Sequence, residues 1–147
     1  WSMLHQAAPH LAAQVRDAAR TSRWHAWAGR RAFHRRSWGP GWALVGDAAH
    51  FTDPISAHGI TDAFRDAEFL AAALDTALGG TTSFGDALAR YETARDRLAV
   101  PLFRAVDRIA EFDWDLDAVR EHLLRVSKVM QAETRVILAL DDTEAAA

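Results

Sequence analysis

The stretch that constrains this chain most runs from Val45 to Leu70 and reads VGDAAHFTDPISAHGITDAFRDAEFL. An apolar segment ends at Gly46-Asp47, a loop follows, and Gly59 stands where a helical pattern begins. Glycine at a helix start lets a ligand approach the backbone, and the unpaired N–H groups there favour an anion or a partially negative oxygen. The stretch therefore predicts a ligand-binding loop between a strand and a helix.

Before this stretch, the sequence predicts one helix and then two strands. From Pro9 to Arg20, apolar residues recur at helical spacing behind a proline suited to a first turn. Between residues 29 and 47, basic and aromatic residues mix without a helical period, and Gly39-Pro40-Gly41 forces a turn. We expect strands over about residues 31–38 and 42–45.

The arginines and tryptophans of this region have structural interpretations. On a strand the arginines alternate between two faces, which indicates a solvated edge rather than a phosphate site; they are Arg30, Arg31, Arg35 and Arg36. The tryptophans are predicted to pack in the core; they are Trp24, Trp27, Trp38 and Trp42.

Behind the loop the sequence predicts helices. An apolar stripe from Ile60 to Leu78 stops at Gly79-Gly80, as expected for a helix end. Ser83 with Asp86 three residues further resembles a capping box and opens a second stripe. Pro101 interrupts that stripe and is expected to kink or split the helix near residue 100.

The last segment has the clearest helical period. Its apolar positions follow at threes and fours and predict a seam for a partner helix, with Glu133 as an interruption; they are Leu116, Val119, Leu123, Val126, Met130, Ile137 and Leu140. This seam makes a homo-oligomer through the C-terminal helices a candidate assembly. The last seven residues, DDTEAAA, are expected to fray.

Length and composition limit the classes of protein to which this chain can belong. The 147 residues suffice for one ordinary domain or for a piece of a larger one, and the chain begins with Trp1, so we expect further residues upstream. A net charge of -3 and the lack of a long apolar run give no indication of nucleic-acid or membrane partners. The absence of cysteine excludes thiolate chemistry and suits a cytoplasmic protein.

The loop carries a resemblance to a known family. The segment VGDAAHFTDPISAHGITDAFRDAEFLAAAL resembles the second FAD-binding motif of the flavoprotein monooxygenase superfamily, with its GDAAH, a proline, a glycine-containing turn and a helix with Asp-Ala. Within that superfamily the segment is most similar in sequence to FAD-dependent oxidoreductases related to the flavin-dependent halogenases. The similarity covers roughly residues 30–98, which correspond to the C-terminal third of a relative.

The resemblance implies a cofactor and roles for several residues. Asp47 would accept hydrogen bonds from the ribityl chain of FAD, and Pro54 would lie beside the isoalloxazine. The N–H groups around Gly59, Ile60 and Thr61 would face the flavin N1 and C2 carbonyl. The complete set of cofactor-binding candidates is Gly46, Asp47, Pro54, Ala57, His58, Gly59, Ile60 and Thr61, and NAD(P)H is the reductant implied for a complete enzyme.

The sequence departs from the family pattern in two places. Many relatives carry Gly-x-Gly in the turn, whereas Ala57 and His58 precede Gly59 here. Ala57 costs little if its φ is negative, and His58 is a candidate wall of the substrate or oxygen pocket. The second departure is that no Gly-x-Gly-x-x-Gly turn for the ADP half of FAD occurs in the chain, so we expect it to bind FAD poorly by itself.

Other chemistries for the loop are weaker. Asp47, His50, Asp53 and His58 are metal-ligand types, but their spacing matches no metal motif, so no metal is predicted. Ser56 with two of them does not resemble a nucleophile elbow. His50 alone is expected to be a half-buried histidine satisfied by backbone groups.

Together these patterns predict an α+β fragment, mostly helical with a few short strands, which in a complete relative would belong to an α/β FAD-binding fold. We expect the end of a substrate domain over residues 1–40, the strand, loop and helix of the FAD-binding domain over 41–82, and C-terminal helices over 83–147. Two functions stay open. One is the C-terminal part of a FAD-dependent monooxygenase acting on a small organic substrate, and the other is a non-catalytic helical interaction module.

Overall fold

The computed structural model describes residues 1–23, 25, 26 and 29–144, with side chains to residue 140. The helices are α1 (Ser2–Ala7), α2 (Pro9–Arg16), α3 (Gly59–Leu78), α4 (Phe84–Ala110) and α5 (Leu116–Glu144). The strands have two residues each and are β1 (Phe33–His34), β2 (Trp38–Gly39), β3 (Trp42–Ala43) and β4 (His50–Phe51). The predicted α+β class, mostly helical with few short strands, is confirmed.

Two antiparallel strand pairs precede α3. β2 and β3 form a hairpin around Pro40-Gly41, where Gly41 has a φ of +78°, so the predicted turn is confirmed. β1 pairs with β4, which places His34 opposite His50. The predicted strands were too long, and β4 lies inside the segment that we expected to be a loop. The arginines of this region are exposed, and Arg35 and Arg36 lie over the rings of Phe33 and Trp38.

Helix α4 is the centre of the structure. It packs against α3 and α5, and the hydroxyl of Tyr91 donates to the Leu44 carbonyl at 2.6 Å. Burial raises the pKa of Tyr91 to about 12, so the hydroxyl stays a donor at neutral pH. Ser83 accepts from the Asp86 N–H at 3.1 Å, so the predicted cap is confirmed. The helix runs unbroken through Pro101, so the predicted split is wrong.

The apolar core lies between α4 and α5. We call it the α4–α5 seam, and its buried members are Leu102, Ala105, Val106, Ile109 and Val126. The predicted partner of the C-terminal stripe is therefore α4 of the same chain. Two stripe positions, Leu116 and Leu123, are exposed, and Glu133 lies on the buried face instead of interrupting it.

Some core predictions are wrong. In α2, Leu11 and Val15 are exposed and Ala12 is the buried residue. Trp42 is also exposed, because its ring closes over Gly39 in the hairpin instead of entering the core. Trp24, Trp27 and residues 145–147 lie outside the described residues.

Candidate functional site

A pocket of about 750 Å³ lies between the end of the hairpin region and the start of α3. Its size is within the range of small-molecule sites in proteins, which is roughly 300–1,000 Å³. Seven of the eight candidate residues line it, and these are Gly46, Asp47, Pro54, Ala57, His58, Gly59 and Ile60. Thr61 follows on the next position of α3 with an exposed side chain. The structure thus brings the predicted residues together around one concave surface.

Two glycines lie at the floor of the pocket, and the backbone requires glycine at the first of them, Gly46. Gly46 has a φ of +53°, and a Cβ added to it would lie 2.9 Å from the Cβ of Ala63 on α3. At Gly59, an added Cβ would lie 3.7 Å from Oδ1 of Asp47. The carboxylate of Asp47 therefore lies close to the backbone at the start of α3, and the glycine leaves the space between them open.

The first turn of α3 offers unpaired donors to this space. The first N–H groups of a helix have no acceptor within the helix, and no described side chain caps this one. The positive end of the helix dipole adds to their attraction for an electron-rich atom. A carboxylate acceptor next to helix-start donors suits a ligand that combines hydroxyl groups with a ring carbonyl or ring nitrogen, and the ribityl and ring parts of a flavin have this chemistry.

Ala57 lies in a left-handed turn in front of α3. Alanine was expected to cost little here if its φ were negative. Its φ is +52°, so this condition is not met. A non-glycine residue in this region costs roughly 1–2 kcal/mol. The loop is held by Asp53, whose carboxylate accepts from the Ile55 N–H at 3.0 Å. The turn in front of α3 therefore contains a strained alanine.

A group of charged residues, four of them buried and His58 half-buried at the pocket, lies beneath the start of α3, and we call it the polar cluster. Its members are His58, Asp62, Arg65, Asp66 and Glu133. Arg65 donates to Asp62 at 2.6 Å, to Asp66 at 2.7 Å and to Glu133. The other oxygen of Asp66 accepts from the Gly46 N–H at 3.1 Å, and Glu133 accepts from Nε2 of His58 at 2.5 Å. One guanidinium therefore joins α3, α5 and the Gly46 turn.

Hydrogen bonds and burial shift the pKa values in the polar cluster. The hydrogen bond to Glu133 outweighs burial and raises the pKa of His58. Burial alone would raise the pKa of Glu133, but the hydrogen bond from His58 and the charge of Arg65 outweigh it and lower that pKa. Burial raises the pKa of Asp62 in spite of Arg65, and Oδ2 of Asp62 has no hydrogen-bond partner among the described residues. His58 and Glu133 thus form an ion pair, and Asp62 is the least compensated acid.

The cluster also has the residue types of a metal site. His58, Asp62 and Glu133 each offer a ligand atom, and these atoms lie within 4.8 Å of one another. However, Arg65 already donates to both carboxylates and His58 donates to Glu133. We therefore interpret the group as an ion-pair network. The four loop residues considered as ligands from the sequence do not form this group, since only His58 belongs to it.

His50 is fully buried in β4, so the expectation of a half-buried side chain bonded to backbone groups is wrong. Its Nδ1 lies 3.0 Å from Nδ1 of His34 across the strand pair, and its Nε2 has no partner among the described residues. Burial, followed by the charges of His34 and Arg65, lowers the pKa of His50 to about 4. It does not line the pocket and is a structural histidine.

At the start of α3 the charged side chains are buried and the apolar side chains are exposed, which is the reverse of a usual amphipathic helix. Ile60 and Phe64 of the predicted stripe are 76% and 74% exposed at the pocket, whereas Asp62, Arg65 and Asp66 are at most 3% exposed. Apolar periodicity found the helix but assigned its faces incorrectly. The sequence signal for the buried charges was the run Asp62 to Asp66 with its acid at i and arginine at i+3.

A second pocket of about 830 Å³ lies between the β2–β3 hairpin and the helices α3 and α4. Its described lining residues carry no charged side chain, and it is formed largely by Trp38, Trp42, Leu70, Leu74 and Leu88. The first pocket alone combines a carboxylate, helix-start donors and an apolar wall, and we take it as the candidate site.

Comparisons with known proteins bear on the family to which the chain belongs. A family model described as the FAD binding domain matches residues 1–106. Ubiquinone biosynthesis monooxygenase COQ6, mitochondrial, from Xenopus tropicalis is 40% identical over 67 residues, which is 44% of this chain and 14% of that relative. The chain thus spans a small part of the relative's length. No solved structure matches significantly. Within the described residues, every helix is too short or too polar to cross a lipid bilayer.

Proposed function

This chain belongs to the FAD-binding domain family, and we propose that its pocket holds the ribityl and isoalloxazine end of FAD in a monooxygenase-type oxidoreductase. The observation that carries the proposal is the gap between Asp47 and the start of α3, which a Cβ at residue 59 would enter. FAD is the cofactor that the family assigns. The relative is named as a monooxygenase of ubiquinone biosynthesis, which supports the reaction class.

The proposed roles follow from the chemistry of each group. Asp47 accepts hydrogen bonds from ribityl hydroxyls, since a carboxylate only accepts. The N–H groups of Gly59, Ile60 and Thr61 donate to the ring's carbonyl and nitrogen edge and stabilise negative charge there. Pro54 stiffens the loop beside the ring, and Phe64 provides an apolar wall. When bound, the flavin supplies the redox chemistry, with NAD(P)H as the proposed reductant and a small organic molecule as substrate.

We further propose that this chain contacts the ring end of FAD but not its ADP end, because it has no Gly-x-Gly-x-x-Gly turn. The chain by itself then binds flavin weakly and turns over no substrate. The boundaries at residues 40 and 82, the wall role of His58 and cytoplasmic localisation stay predictions.

The test is a titration of the 147-residue chain with riboflavin, FAD and ADP, followed by flavin fluorescence and by amide NMR. We expect riboflavin and FAD to bind with similar affinity and ADP not to compete. Asp47→Ala should weaken riboflavin binding about tenfold, the size of one hydrogen bond to a charged group. Asp75→Ala removes an exposed carboxylate from the far half of α3 and should leave the affinity unchanged.

Two outcomes would contradict the proposal. One equivalent of FAD retained through purification, with a yellow protein, would refute the half-site. Unmoved amide signals of Gly46, Asp47 and Gly59 at saturating riboflavin would refute the flavin pocket itself.

A second candidate function is an interaction module that assembles through α5. The observation that favours it is the set of exposed apolar side chains on this helix, which includes Leu116, Leu123, Leu124 and Leu138. Light scattering should then give a dimer mass that halves in Leu124→Glu, and a concentration-independent monomer would contradict this function.

A further inference from the structure

Glu133 lies on α5, beyond the residues that the family model matches, and faces the interior at a position of the apolar stripe. A buried carboxylate destabilises a protein unless charged partners and hydrogen bonds compensate it. An apolar residue at this position would extend the α4–α5 seam. Packing therefore does not account for a glutamate here.

Two branches lead from Glu133 to opposite walls of the pocket. Its Oε2 accepts from His58, the residue directly before α3 begins at Gly59. Its Oε1 accepts a hydrogen bond from Arg65. The neighbouring residue Asp66 accepts a hydrogen bond from the N–H of Gly46. Each branch ends one residue from a group in the proposed flavin contact.

The two carboxylate oxygens are thus used separately. One fixes the loop end at His58, and the other fixes Arg65 beneath α3. Because one rigid carboxylate joins both branches, a displacement of either branch moves the other. The distance between Asp47 and the first turn of α3 therefore depends on a helix whose described side chains do not line the pocket.

We propose that Glu133 is a positioning residue of the pocket, through which helix α5 sets the separation between the Asp47 carboxylate and the N–H donors of α3. This inference rests on the proposed flavin function. The residue touches no ligand and acts through His58 and Arg65. The C-terminal helix is then part of the cofactor site.

The imidazole of His58 gives the arrangement a pH dependence. The charged groups that face it are Glu133 from α5 and Asp62 and Arg65 from α3. The pKa of His58 is raised, so the ion pair is complete below about pH 6.5 and is lost as the pH rises through the higher pKa of the folded state. Flavin affinity should fall over the same pH range.

The experiment compares Glu133→Gln with the wild-type chain. Glutamine keeps one acceptor oxygen for Arg65, but its NH2 group cannot accept from the N–H of His58 and it carries no charge, so the ion pair with His58 is lost. We expect riboflavin affinity to fall about tenfold, the effect typical of losing a group that orients a binding residue. The pH dependence of riboflavin binding should disappear, and NMR should show the pKa of the His58 imidazole falling towards its ordinary value. Glu121→Gln, an exposed change on the same helix, is the matched control.

A flavin-free measurement separates this inference from the proposed function. In the chain without flavin, Glu133→Gln should shift the amide signals of both Gly46 and Gly59, whereas Glu121→Gln should not. If wild type fails to bind riboflavin, the flavin function is refuted. If wild type binds and Glu133→Gln binds equally with the same pH profile, the positioning role is refuted. Should this variant not fold, His58→Phe removes the donor to Glu133 and must shift the amide signal of Gly46, at the end of the other branch, in the flavin-free chain.

Discussion

The polar cluster beneath the start of α3 and the α4–α5 seam are both largely buried, but they are held together differently. The seam consists of apolar side chains such as Leu102 and Val106. Beneath the start of α3, the buried groups are the charged side chains of the polar cluster. The apolar residues of α3, Ile60 and Phe64, face outwards into the pocket. Burial of apolar area stabilises the seam whatever the exact orientation of its side chains. The polar cluster is stable only when its individual hydrogen bonds are formed with the right geometry.

The difference indicates which region serves stability and which serves geometry. Apolar packing tolerates small shifts, but a guanidinium with several acceptors fixes angles and distances. Buried ion pairs add little net stability compared with apolar packing and are costly to break on one side. The polar cluster thus fixes the walls of the pocket, and the seam supplies the stability that this arrangement needs.

The largest expected effect comes from removing the cation of the polar cluster. Arg65→Met leaves three buried carboxylates facing one another without their shared partner. We expect the free energy of unfolding in urea to fall by about 4 kcal/mol. Arg108→Met is the matched control, because Arg108 also forms an i,i+3 ion pair, with Glu111, but is exposed. It should cause no measurable change, and equal losses in both variants would refute the comparison.

The seam should respond through volume rather than charge. Leu102→Ala removes a completely buried side chain and should lower the free energy of unfolding by about 3 kcal/mol. Leu124→Ala changes an exposed leucine of α5 and should cost less than about 0.5 kcal/mol. The loss in Leu102→Ala should be the same at pH 5 and pH 8. A strong pH dependence would show that the seam is coupled to titrating groups.

The smallest loss in the free energy of unfolding at mildly acidic pH comes from protonating a buried histidine, His50. Burial, followed by the charges of His34 and Arg65, lowers the pKa of His50 to about 4, so only the unfolded chain binds the proton between pH 6.5 and pH 4. Stability is then lost as the pH falls through this range, by about 2 kcal/mol at pH 5 and by somewhat more than about 3 kcal/mol once the folded protein is protonated as well. His50→Gln should remove this part of the slope in pH-dependent urea unfolding. The exposed His10→Gln should retain it, and identical slopes in both variants would contradict the assignment.

Features encoded by neighbouring residues were predictable from the sequence. The bounds of α3, the Ser83 cap and the glycine turn of the hairpin depend on backbone rules that act over a few residues. The pocket was predictable for the same reason, because its walls come from one continuous stretch between Val45 and Ala67.

The partners of buried polar groups were not predictable in this way. Glu133 and His58 are 75 residues apart, and no local pattern joins them. Periodicity identified the two faces of α3 but could not tell which face is buried, because the apolar face lines a pocket. The sign of φ at Ala57 likewise depends on how the loop is closed and not on the residue's own preference.

The ion pair between Arg65 and Glu133 has a consequence for unfolding as a whole. Helix α3 packs against α4, α4 packs against α5, and this pair joins α5 back to α3, so the three helices form a closed ring. No helix of such a ring can detach without breaking contacts with both others. Amide hydrogen exchange in α3 and α5 should therefore follow one common opening, and the three helices should denature as a single cooperative unit.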